Sequence, residues 1–134
     1  MNSATRIASR IVRIEGVLVT LLGAAHLIVG TTIEPAKVAG LGPALLLRDY
    51  IIWFEAFGAC ILLMGLFDLV CVGELQRGSR LAWKIAFLSS LFTFALGLAG
   101  TVVFHLSPPN VLLLAGGAGL VALLASREAY RRGD

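Results

Sequence analysis

The chain has 134 residues, of which 58% are hydrophobic and 14% are charged, and its mean hydropathy is +0.92. Ordinary soluble domains carry about 25% charged residues, so the composition excludes a soluble globular protein and predicts an integral membrane protein. The net charge of +3 does not indicate a nucleic-acid binder, because the basic residues are divided among short groups that form no continuous binding surface.

Four apolar runs predict four membrane-spanning helices at about 11–30, 50–72, 81–104 and 108–125. The chain, 1–134, is therefore expected to be a single all-α domain, an integral membrane four-helix bundle. The third and fourth runs are separated by turn chemistry, since Pro108 and Pro109 lack a backbone donor and Ser107 can cap a helix. The first run is expected to stay in the protein, because Glu15 and His26 would be unusual inside a cleaved signal peptide.

The basic residues predict the orientation of the bundle. Nine of the eleven lie on one side of the predicted membrane: Arg6, Arg10, Arg13, Arg77, Arg80, Lys84, Arg127, Arg131 and Arg132. Only Lys37 and Arg48 lie on the other side. Because Lys and Arg concentrate in cytoplasmic loops, both termini are expected in the cytoplasm of a cell whose inner membrane holds the protein.

Six ionisable side chains interrupt the predicted spans, and each costs roughly 2.5–3.5 kcal/mol in hydrocarbon unless it has a partner or a cavity. They are Glu15, His26, Glu55, Asp68, Lys84 and His105. Their depths follow from the helical rise of about 1.5 Å per residue.

Glu55 and His26 are expected to share one depth in the outer half of the bundle. His26 lies about 8 Å and Glu55 about 7–8 Å below the outer surface of a hydrocarbon core of about 30 Å. His105 ends the third span near that surface. A carboxyl that keeps its proton in a dry site is what a general acid requires, so Glu55 and His26 are the leading catalytic candidates. The alternative is a hydrogen-bonded pair with a structural role only.

The remaining groups are expected near the inner surface. The same arithmetic places Glu15 about 6 Å, Asp68 about 3 Å and Lys84 about 4–5 Å from it. Pairing of Lys84 with either carboxylate would offset much of the burial cost, which predicts a structural charge cluster. Glu15 and Asp68 are also secondary candidates for a catalytic acid or base.

Small and aromatic residues supply the candidate binding surface. Ser89, Thr93, Gly97 and Thr101 recur at a spacing of four, which favours close helix contact, with a ligand pocket as the alternative. Trp53 is typical of an interfacial anchor and could also line a cavity. The candidate substrate-binding residues are Trp53, Phe57, Ser89, Thr93 and His105.

Nucleotide, haem, zinc and phosphate motifs are missing from the sequence, so no cofactor and no metal site are predicted. Ligation of a metal or haem would require His26 and His105 to meet, which depends on the first and third spans being neighbours.

Short motifs occur in the first two spans. They are Arg13-Ile14-x-Gly16 followed by Leu22-Gly23-Ala24-Ala25-His26-Leu27, and then Trp53-Phe54-x-x-Phe57-Gly58. In these stretches the chain resembles the small bacterial four-helix membrane proteins grouped around DoxX, which implies a four-helix bundle and no settled chemistry. By type of site, the carboxylates are also similar to those of small integral-membrane terpene cyclases, in which an acidic side chain protonates an epoxide or alkene.

Three functions are consistent with these residues. The first is an intramembrane cyclase or isomerase that acts on a lipophilic, isoprenoid-type substrate through general-acid chemistry at Glu55. The second is a small proton-coupled transporter that works as a homo-oligomer around Glu15 or Glu55. The third is an accessory membrane subunit whose charges only pair. The expected partners are membrane lipid and a lipophilic small molecule, without nucleic acid.

Overall fold

A computed structural model describes residues 3–32, 35, 39, 43–104 and 109–131. These residues form four helices, which confirms the predicted all-α, four-helix architecture. The helices are α1 (Ser3–Thr32), α2 (Ala44–Gln76), α3 (Arg80–Phe104) and α4 (Pro109–Arg131). Each is long and apolar enough to cross a membrane.

The helices extend beyond the predicted spans at most of their ends. The largest differences are at the start of α1, which begins at Ser3, at the start of α2, which begins at Ala44, and at the end of α4, which continues to Arg131. The apolar runs predict only the part of each helix that lies in hydrocarbon. A helix can continue beyond that part when the basic side chains of its extension are exposed. Arg6, Arg10 and Arg127 are exposed in this way.

Antiparallel packing of neighbours builds the bundle. The largest helix contacts are between α1 and α2 and between α3 and α4, and the two hairpins meet through α1 with α4 and α2 with α3. The start of α1, the turn between α2 and α3 and the end of α4 therefore lie together, at what we call the basic end.

Two glycines permit close backbone contact within the hairpins. A Cβ on Gly65 of α2 would clash with the backbone nitrogen of Thr20 on α1, and a Cβ on Gly97 of α3 would clash with the backbone of Leu113 on α4. Small residues at helix contacts are a main source of association in lipid. The spacing-of-four pattern in the third span thus includes one direct packing contact at Gly97.

The turn between α2 and α3 is set by local backbone chemistry. Gly78 has φ +84°, a left-handed conformation that favours glycine after a helix. Its N–H donates to the Leu75 carbonyl at 3.1 Å, and the Ser79 N–H donates to the Glu74 carbonyl at 3.0 Å. The Ser79 hydroxyl then accepts the Ala82 N–H at 3.3 Å and caps α3.

Two apolar clusters fill the bundle. The first, at the basic end, contains Val12, Cys71, Val72, Leu75, Ala82, Ala86, Leu123 and Tyr130. The second contains Val19, Ile61 and Leu112, with Leu22, Met64 and Leu96 packed against it. Along the helices, a set of buried polar residues lies between the two clusters.

Candidate functional site

The buried polar set is the main candidate site. We call it the polar layer, and its members are Glu15, Asp68, Ser89, Ser90 and Thr93, all of which are buried. Glu15 comes from α1, Asp68 from α2 and the three hydroxyl residues from α3. The layer is separated from the helix ends at the basic end by about 12–20 Å, calculated from the helical rise.

Glu15 is held between α3 and α4. Its side chain is 2% exposed, and the Ser90 hydroxyl donates to Glu15 Oε2 at 2.7 Å. Gly119 of α4 lies directly against this pair, because a Cβ there would clash with Glu15 Oε2 and lie 2.6 Å from Ser90 Oγ. The helices approach closely enough at Gly119 for the carboxyl to contact both neighbours.

Asp68 lies beside Glu15 in the same layer. It is 0% exposed, and its Cβ packs close to Gly16 of α1, the residue that follows Glu15 in the chain. Ser89 lies next to Asp68, but its hydroxyl donates to the Met64 carbonyl at 3.1 Å. The two buried carboxyls are therefore neighbours.

The polar layer contains more acceptors than donors. Four of its buried oxygens have no hydrogen-bond partner among the described residues: Glu15 Oε1, Asp68 Oδ1, Asp68 Oδ2 and Thr93 Oγ1. Three of the four belong to carboxyls, and a buried polar atom without a partner costs about 1–3 kcal/mol. Buried acids with such a cost in the middle of a packed bundle are candidates for a functional site.

The expected pairing of Lys84 with Glu15 or Asp68 is wrong. Lys84 is exposed, and no ion pair in the described part of the chain joins it to either carboxyl. Lys84 instead lines a groove with Arg127 and Arg131 on the outside of α3 and α4. The depths calculated from the helical rise placed Glu15, Asp68 and Lys84 near one level. They could not show which face of α3 is turned toward the other helices.

His26 and Glu55 lie in the contact between α1 and α2. The His26 ring stacks on Phe54 with centroids 3.9 Å apart and meets the edge of Phe57 at 5.6 Å. Glu55 is half-buried, and its Cγ lies beside Gly30 of α1, one helical turn from His26. The two candidates therefore share one helix contact, although no hydrogen bond or ion pair among the described residues joins them. We call His26, Phe54, Glu55 and Phe57 the aromatic cluster.

The other candidate binding residues are distributed over different surfaces. Phe57, a member of the aromatic cluster, is 40% exposed, and Trp53, which precedes Phe54 on α2, is 76% exposed. Ser89 and Thr93 lie in the polar layer instead, on the far side of the second apolar cluster. His105 lies outside the described residues.

Two contributors to the polar layer were absent from the sequence-based candidates, Ser90 and Gly119. Ser90 follows Ser89, so that one of the two adjacent hydroxyls faces α2 and the other faces Glu15. Gly119 belongs to the glycine-rich stretch Gly116-Gly117-Ala118-Gly119, and small residues of this kind favour close helix contact. The sequence feature that could have indicated Ser90 and Gly119 is Glu15 itself, because a buried carboxyl requires small residues on the helices that pack around it.

Within the described ranges, no group of three or more His, Cys, Asp or Glu side chains is arranged to hold a metal ion. Comparison with known proteins gives no further assignment, since no family model, curated protein or solved structure matches the chain.

Proposed function

We propose that the protein is a small proton-coupled membrane transporter that binds its proton at Glu15 and Asp68. The observation that carries the proposal is the excess of unpartnered carboxyl oxygens in the polar layer. A proton on either carboxyl turns an acceptor into a donor and removes the repulsion between two adjacent negative charges. Among the described residues, no ion pair joins a Lys or Arg side chain to either carboxyl, and Lys84 is exposed.

Protonation of this pair would affect the packing of the whole bundle. Glu15 contacts Ser90 of α3 and Gly119 of α4, while Asp68 contacts Gly16 of α1. A change in charge therefore acts on the contacts of all four helices. Movement of packed helices around a central ionisable site is a common way to couple a proton to a solute. Four helices leave little room for a pathway, so we assign the working form to a homo-oligomer.

The proposed location is the inner membrane of a bacterial cell, with both termini in the cytoplasm. The support is the concentration of basic residues at the basic end. As part of the same proposal, we regard the chain as similar to the DoxX-like bacterial membrane proteins. Reporter fusions at each terminus test the orientation, which requires both to give the cytoplasmic signal.

The transport proposal is tested in proteoliposomes that contain a trapped pH dye and carry an imposed proton gradient. Small organic cations, organic anions and neutral lipophilic solutes are added in turn. We expect at least one class to produce proton movement that Glu15→Gln and Asp68→Asn each abolish. Glu74→Gln is the matched control, because Glu74 is an exposed acid paired with Arg77, and it should behave as the unmodified protein.

Two results would contradict the transport proposal. One is proton movement equal to that of protein-free vesicles for every solute class. The other is movement that persists in Glu15→Gln and Asp68→Asn. Retention of the fold in both variants is checked by their thermal unfolding in detergent.

A second candidate function is the intramembrane enzyme, and the arrangement of the aromatic cluster favours it. His26 is positioned by stacking on Phe54, Glu55 is half-buried one turn away, and Trp53 and Phe57 expose apolar surface on the same helix. An isoprenoid-type substrate could reach this acid from lipid, accept its proton at an alkene or epoxide, and return a proton after rearrangement. The products would then be isomers of the substrate.

Mass spectrometry of prenyl epoxides and alcohols after incubation with reconstituted protein tests the enzyme proposal. Turnover should be lost in Glu55→Gln and retained in Glu15→Gln. If the unmodified protein shows neither proton-coupled transport nor turnover of prenyl compounds, the accessory-subunit interpretation is favoured.

A further inference from the structure

We propose that a groove between α3 and α4 at the basic end binds an anionic phospholipid. The groove has a volume of about 360 Å³. Four of its lining residues are basic, Arg80, Lys84, Arg127 and Arg131, and four are aromatic or aliphatic, Trp83, Phe87, Leu124 and Tyr130. We call it the basic groove.

The charges and the apolar residues of the basic groove are separated along its length. Thr101 Oγ1 of α3 lies 2.8 Å from Asn110 Oδ1 of α4, which fixes the antiparallel register of the two helices. The same register places Arg80 level with Arg131, Lys84 level with Arg127, and Phe87 level with Leu124. Successive levels are about 5–6 Å apart. Two cationic levels near the helix ends therefore precede an apolar level deeper in the bundle.

The apolar part of the groove is a defined surface. The Trp83 indole N–H donates to the Leu123 carbonyl at 2.9 Å, and the indole stacks on Phe87 with centroids 5.3 Å apart and planes 14° apart. The Tyr130 hydroxyl donates to the Leu75 carbonyl at 3.1 Å. These bonds hold the rings in place, while Leu124 remains 53% exposed at the side of the bundle. An acyl chain can lie along this surface from the surrounding lipid.

The charge of the lining matches an anionic headgroup. No acidic residue lines the groove, and the nearby Glu128 pairs with Arg131 at 3.1 Å. Lys84 and Arg127 keep their charges on the second level. Basic residues placed only for orientation need to be near the membrane surface, whereas here four of them face one cavity together with a fixed aromatic surface. Basic pockets between membrane helices are typical sites for anionic lipid headgroups. The apolar level favours a lipid over a free anion.

Quenching of Trp83 fluorescence by brominated lipid tests the proposal. The chain has two tryptophans, so Trp53→Phe leaves Trp83 as the only one, at little structural cost because Trp53 is largely exposed. In this background, brominated phosphatidylglycerol should quench Trp83 at a lower mole fraction than brominated phosphatidylcholine. Lys84→Gln combined with Arg127→Gln should reduce that preference on the order of tenfold. The matched control, Arg6→Gln with Arg10→Gln, removes the same charge from the basic end and should leave the preference unchanged.

Three results would overturn the lipid proposal. Equal quenching by the two lipids would show that the groove does not select an anionic headgroup. An equal loss of preference in the Arg6 and Arg10 control would assign the effect to overall charge. Removal of the preference by inorganic phosphate at matched ionic strength would identify a free-anion site. Because Lys84 and Arg127 are exposed, all variants should fold, and their thermal unfolding confirms this.

Discussion

The polar layer and the aromatic cluster both contain acids in membrane-length helices, yet their surroundings differ. Glu15 and Asp68 lie between two apolar clusters and are at most 2% exposed. Glu55 lies in the contact of α1 with α2 and is half-buried. The number of helices that surround an acid thus separates the deeply buried pair from the half-buried Glu55. In the proposed functions, this difference distinguishes a proton-binding site from a site that meets a lipophilic molecule.

The largest expected effect is the different tolerance of the two regions for an added methyl group. A Cβ on Gly116, beside the polar layer, would lie 2.5 Å from the Phe94 backbone nitrogen and 2.8 Å from the Ser90 carbonyl oxygen. Backbone atoms of a packed helix cannot easily move, so Gly116→Ala should lower the free energy of unfolding by about 3 kcal/mol. The three atoms nearest to a Cβ on Gly30, beside the aromatic cluster, are side-chain atoms of Phe54 and Glu55 at 3.0–3.5 Å, and Gly30→Ala should cost less than about 1 kcal/mol.

Denaturation of both variants in mixed micelles measures this difference. Gly73→Ala is the matched control, because no atom lies within 4 Å of its added Cβ, and it should cause no loss. Equal costs for Gly116→Ala and Gly30→Ala would contradict the tighter packing assigned to the polar layer.

Two hydroxyls of the polar layer are expected to have opposite effects on stability. Ser90→Ala removes the donor to Glu15 Oε2 and should cost about 1–3 kcal/mol. Thr93→Val replaces a buried hydroxyl that has no described partner and should be neutral or stabilising by up to about 1 kcal/mol. If Ser90→Ala unfolds like the unmodified protein, the hydrogen bond at Glu15 contributes no stability. A loss of stability in Thr93→Val would contradict the absence of a described partner for its hydroxyl.

The sequence predicted the all-α class and the number of helices. Apolar runs depend on single segments of the chain, and they were sufficient to predict that α1 to α4 exist. The partners of Glu15 and Lys84 depend on how each helix is rotated toward its neighbours. That rotation follows from close contacts such as Gly119 with Glu15 and Gly97 with Leu113, which involve residues far apart in the chain.

In the aromatic cluster, loss of ring stacking should have a moderate effect. Phe54→Leu removes the stacking on His26 and should cost about 0.5–1.5 kcal/mol beyond the change in buried area. Phe67→Leu is the control, because Phe67 is 48% exposed and should change stability less. If the two variants unfold alike, the ring of His26 is held by other contacts.

The smallest expected effect is that of Glu55→Gln. A half-buried side chain without a described hydrogen bond contributes little, so the free energy of unfolding should change by less than about 0.5 kcal/mol. A larger loss, measured under the same denaturing conditions, would place Glu55 among the structural groups of the bundle.

The most direct test is infrared spectroscopy of the reconstituted protein across a pH series, which detects the C=O stretch of protonated carboxyl groups. We predict a protonated-carboxyl band that persists above the pH range of exposed acids and that both Glu15→Gln and Asp68→Asn change, whereas Glu74→Gln leaves it unaltered. A spectrum without such a band, or a band that neither substitution changes, would contradict the assignment of the polar layer as a proton-binding site.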